Sequence, residues 1–119
     1  MFSRTWHGVT PIEFCNDFEK YEYETGVKDT TNVEGNLGAH LRVIKKGEFA
    51  HFFLCTFWES IESMKKYAGD NYEIAVDYPE DEKYGLISDP LVIVQEVISN
   101  DNNIGSSGIS VGKKCRFPL

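Results

Sequence analysis

A chain of 119 residues with 41% hydrophobic and 13% aromatic content has the length and composition of one globular domain. Its net charge of −7 repels phosphate backbones, which excludes a general nucleic-acid binder. No apolar run approaches the length of a membrane span, and the opening Met1–His7 lacks the apolar core of a secretory signal. Three widely separated cysteines (Cys15, Cys55, Cys115) do not suggest a disulfide framework, so a reduced, cytoplasmic protein is expected.

Residues 2–8 have the Phe, Thr and Trp content of a strand stopped by Gly8. Thr10-Pro11-Ile12-Glu13 then reads as a capping box, with Thr10 as N-cap and Pro11 at the first helical position. Phe14, Phe18 and Tyr21 form the apolar stripe of this first helix; Glu19, Lys20, Glu22 and Glu24 are expected to face water, and Gly26 to end it. A second strand is expected near 38–44, a turn at Lys46-Gly47, and a third strand over 49–58. Ser60 caps a second helix over about 60–68. An aromatic and acidic loop follows, and Leu91–Ile98, rich in β-branched residues, reads as a fourth strand. The order is β-α-β-β-α-β, an α+β, ferredoxin-like arrangement with an antiparallel sheet.

With a two-residue turn at Lys46-Gly47, Leu41 opposes Phe52 and Ala39 opposes Leu54 on one apolar face. Arg42 then opposes His51, and His40 opposes Phe53, on the other. That second face also carries Cys55 and Phe57, so it calls for a partner, and sheet-to-sheet dimerisation would cover it. His40 and His51 would lie diagonally on it, without a third residue at a recognised metal-ligand spacing, so no metal is expected. Residues 99–119, with Asn100–Asn103, Gly105–Gly108 and the basic Lys113, Lys114 and Arg116, have linker composition. They are expected to be a disordered or partner-docking tail beside a domain spanning 1–98.

Thr56-Phe57-Trp58-Glu59-Ser60, Ala68–Tyr72 and Tyr78-Pro79-Glu80-Asp81, set in this order of elements, resemble the antibiotic biosynthesis monooxygenase family. Trp6-His7-Gly8 and Gly35–Ala39 resemble a mostly uncharacterised subgroup of it. The resemblance implies a homodimeric α+β barrel. It also implies one of several activities: cofactor-free oxidation of phenols, haem degradation, or neither. For the haem branch, the family's Trp, His and Asn positions fall at Tyr67, Asp77 and near His7, and none matches; no histidine follows His51.

The phenol-oxidising branch needs a base, hydrogen-bond donors and an aromatic pocket. The expected catalytic residues are His7, a base near neutral pH, and Tyr72, a phenol donor. Trp6, Trp58, Tyr67, Tyr78 and Asp77 form the expected substrate-binding set. Arg4 and Arg42 are the available arginines, neither held in a motif, whereas the family pattern is Asn–Trp–Tyr–Arg. The expected function is cofactor-independent oxidation of a small aromatic compound. The alternatives are a non-catalytic binder of an aromatic or lipophilic molecule, or a dimerisation module whose cleft is filled by Trp58 and Phe18.

Overall fold

In a computed structural model describing residues 1–99, five strands form one antiparallel sheet with the helical segments on one face. Strand β1 (Phe2–Pro11) lies centrally between β3 (Phe49–Trp58) and two short strands, β4 (Ile87–Ser88) and β5 (Ile93–Glu96). Strand β2 (Asn36–Lys46) closes the other edge against β3. This is the expected ferredoxin-like α+β fold, with the last strand broken in two. Only Ile93–Glu96 of the expected 91–98 strand joins the ladder, because Leu91 pairs instead with Ile74 of the preceding connection.

The hairpin turn sits one residue later than expected, at Gly47-Glu48, with Gly47 at φ 60° as tight hairpin turns require. Leu41 therefore opposes Leu54, Arg42 opposes Phe53 and His40 opposes Cys55. Every pair moves by two, so each residue keeps its expected face. His40 and His51 no longer lie diagonally, since His51 opposes Ile44.

The helical stretch differs more. Thr10 remains in β1, its hydroxyl buried without a partner, and does not cap the helix. The run opens as a 3-10 turn (Ile12–Phe14), with the Ile12 amide donating to the Glu48 carbonyl. It continues as α1 (Cys15–Glu22), a π-helical turn (Tyr23–Val27) and α2 (Lys28–Thr31). Gly26 therefore does not end the helix; it is buried inside the π-turn, where a Cβ would collide with the Glu22 carboxyl. In α3 (Ile61–Ala68), Ser60 accepts from the Ser63 amide as the expected N-cap.

The core lies between sheet and helices, where Phe18 meets Phe52 edge-to-face with centroids 4.9 Å apart and Trp6, Leu54 and Ala50 complete it. Among the described residues, no helix is long and apolar enough to cross a membrane. The expectations for the tail fall outside the described residues, apart from Ser99.

Candidate functional site

Side chains alternate along a strand, so Arg4 and Trp6 of β1 share the helix-facing side with Leu54, Thr56 and Trp58 of β3. A small cavity of about 20 Å³ opens on that side, room for one water molecule. The sheet supplies Arg4, Trp6 and Leu54, and the helices supply Glu22 and Tyr67. The connection after α3 (69–86) supplies Val76, Tyr78 and Asp81 as its roof.

Arg4 is 4% exposed and lies against the Tyr67 ring, its guanidinium 5.6 Å from the centroid. Its Nε donates to the Tyr72 carbonyl (3.0 Å) and one terminal nitrogen to the Ile74 carbonyl (2.9 Å). Among the described residues no carboxylate forms an ion pair with it. Burial pulls its pKa below the ordinary value, opposed by the Tyr67 and Tyr78 phenols, yet a guanidinium stays charged at neutral pH. Arg4 is thus a buried cation with no ion-pair partner among the described residues, an arrangement proteins otherwise avoid because the desolvation penalty is several kcal/mol.

Tyr67 and Tyr78 share a hydrogen bond of 2.9 Å between their hydroxyls. Burial raises both phenol pKa values, so both protons stay on at neutral pH. The Asp29 carboxylate also meets the Tyr78 hydroxyl and raises its pKa further. Trp58, fully buried, stands behind the lining: its ring stacks on Tyr67 at 6.3 Å and its indole donates to Thr56 Oγ1 (2.8 Å). The Trp6 indole donates to Ser88 Oγ (2.7 Å), tying the cavity wall to β4.

Two carboxyls complete the lining. Glu22, expected to face water, is 5% exposed and lines the cavity. Burial first, and then the charge of Asp81, push its pKa from 4.5 up to about 8. Asp81 accepts from the Tyr78 amide through Oδ2 (2.9 Å), while Oδ1 is buried without a partner. Burial raises the Asp81 pKa too, with the Tyr78 amide opposing.

The raised Glu22 pKa has a consequence for stability. The folded protein holds the Glu22 proton up to about pH 8, whereas the unfolded chain releases it near 4.5. The native state therefore binds more protons in that window, and its stability falls as pH rises through it, leaving the full benefit only below 4.5. The loss between about pH 5 and pH 8 is of order 3 kcal/mol from this group alone. Glu22→Gln should flatten that slope in urea titrations run across the window. An unchanged slope would mean that Glu22 ionises normally in the fold.

Other expected site residues lie elsewhere. His7 follows Trp6 on the strand, so it points to the opposite face and cannot share a pocket with Trp58. There its Nε2 lies 3.0 Å from His51 Nδ1 and its Nδ1 2.9 Å from Asp89 Oδ2, with Phe53 alongside. Tyr72 contributes its backbone carbonyl to Arg4 but does not line the cavity, and Lys65 lies over its ring. Asp77 is exposed, off the cavity. Trp6, Tyr67 and Tyr78 line the cavity together, with Trp58 one layer behind. Arg42 is exposed on β2.

No family model matches the chain, and no curated protein does. Solved structures do match. A Deinococcus radiodurans protein named as an antibiotic biosynthesis monooxygenase superposes with a TM-score of 0.60 at 14% identity, covering 86% of this chain and 97% of that one. A Bacillus cereus protein of the same designation gives 0.55 at 20% identity, covering 85% and 94%. The haem-degrader MhuD of Mycobacterium tuberculosis, with two haems bound in its active site, gives 0.58 at 20% identity, covering 86% and 100%. The chain has the antibiotic biosynthesis monooxygenase fold. The residues lining this cavity include no histidine or cysteine.

Proposed function

We propose that this monooxygenase-fold protein binds a small phenolic compound between sheet and helices and oxidises it with dioxygen, without a cofactor. The observation that carries the reading is Arg4, a buried cation with no ion-pair partner among the described residues, set among aromatic rings. A phenolate supplies the missing charge, with the Tyr67 and Tyr78 rings as walls. The electron-rich anion is the species that reacts with dioxygen. For an anthrone-type substrate, two C–H bonds at one carbon are replaced by C=O. The second oxygen atom leaves as water, and the substrate provides all four electrons.

As described, the cavity admits only water, so the roof must lift to admit a ring. That roof is held by two backbone hydrogen bonds of 2.9 Å (Ala75 to Pro90, Val92 to Glu73), by Arg4, and by the Tyr21 hydroxyl on the Glu80 amide. A roof latched in this way also favours a second reading, a binder that sequesters an aromatic compound and excludes dioxygen. The outer sheet face, with Val9, Phe53, Cys55 and Phe57 side by side, supports a homodimer formed sheet to sheet.

The test is oxygen uptake by metal-stripped protein with a panel of anthrone-like and dihydroxynaphthalene-like phenols, run beside equilibrium binding of the same compounds. Uptake above the buffer rate is expected. Binding without uptake selects the sequestering reading, and neither binding nor uptake by folded protein rejects both.

A further inference from the structure

Resting on that reading, we infer that Glu22 is the general base, taking the hydroxyl proton of the bound phenol while Arg4 receives the phenolate charge. The geometry singles out this carboxyl. Glu22 lines the same cavity as Arg4, Tyr67 and Tyr78 and is 5% exposed. A carboxyl kept from bulk solvent at a cavity wall is costly, so its position calls for a ligand that will meet it.

The backbone is shaped around it. Glu22 ends α1, and the π-helical turn that follows places Gly26 where any Cβ would strike the Glu22 carboxyl. Such π-turns occur mostly as single interruptions of α-helices and often at functional sites. Here the turn and the glycine together clear the space that the carboxyl occupies.

The other titratable groups at the cavity do not compete for the role. Arg4 is a permanent cation, and the two tyrosines keep their protons at neutral pH. Asp81 is engaged through Oδ2 with the Tyr78 amide and is the more exposed carboxyl; its charge helps raise the Glu22 pKa. His7 faces the other side of the sheet. A base with a pKa of about 8 is matched to work near neutral pH, where a useful fraction is ionised and the proton affinity is high. The step is a single proton transfer: the phenol O–H bond breaks, a carboxyl O–H bond forms on Glu22, and the electron pair stays on the phenolate oxygen.

The experiment compares turnover of an oxidisable phenol by wild type and Glu22→Gln at pH 7, beside an anaerobic binding titration of both with 2-naphthol. Glutamine matches the neutral carboxyl in size and charge at that pH, so the variant should fold, which circular dichroism checks. Wild type and variant should bind the probe alike, because glutamine and the protonated carboxyl present the same neutral neighbour to it. With an oxidisable phenol, turnover should fall by roughly 10²–10⁴-fold in the variant, the usual contribution of a general base. Glu22→Asp should recover part of it. Turnover unchanged in the Gln variant, or binding without turnover in wild type, overturns the assignment of Glu22 and leaves the binding reading intact. No binding by wild type removes both.

Discussion

Trp58→Ala should destabilise the fold by about 3–5 kcal/mol, the usual cost of deleting a large aromatic from a packed interior. Trp58 is fully buried, stacks on Tyr67 and donates its indole proton to Thr56 Oγ1, whose own hydroxyl donates to the Arg4 carbonyl. Removal leaves a cavity behind Tyr67 and frees the ring on which the Arg4 guanidinium rests. Urea unfolding should show the midpoint falling sharply with little change in slope. A loss below about 1 kcal/mol would mean that the site collapses readily around the gap, contrary to the packing described.

Arg4→Gln should lower kcat/KM for an oxidisable phenol by about 10²–10³-fold, as removal of a donor at a developing anion typically does. Its effect on stability should be much smaller, because two terms oppose. The Tyr72 and Ile74 carbonyls lose their donors, at about 1–3 kcal/mol each where they remain buried. Against that, an uncompensated buried cation disappears, relieving a penalty of several kcal/mol. Steady-state kinetics beside thermal melts separate the two quantities. A variant that melts normally and turns over normally would remove Arg4 from the chemistry. In the sequestering reading the same variant should instead bind neutral naphthalene about as well as wild type and 2-naphthol less well.

Much of the architecture was legible in the residues because it rests on local patterns. Apolar alternation located β2 and β3, Ser60 marked the start of α3, and the face assignments survived a turn displaced by one residue, since a shift of two preserves parity. The same alternation was enough to separate His7 from Trp6: neighbouring residues of one strand cannot both face the cleft. Glu22 was also within reach, being four residues after Phe18 and hence on the same helical side. Its charge suggested water, but its position in the helix placed it in the core.

The remainder depended on tertiary contacts that no local pattern carries. The π-turn through Gly26 moves the helix phase without a sequence signal such as proline. The 69–86 connection has neither a helical nor a strand period, so nothing local distinguished Tyr78 and Asp81, which roof the cavity, from Asp77, which faces water. Arg4 looked like an ordinary strand residue because its two acceptors lie 68 and 70 positions away.

The most direct test of the central claim is the fate of isotopically labelled dioxygen. Metal-stripped protein supplied with ¹⁸O₂ and an anthrone-type phenol that it binds should place one labelled atom in the quinone product and the other in water, at a rate that drops in Arg4→Gln. Product carrying no label, or label appearing equally fast in the variant, would contradict an oxygenase centred on Arg4.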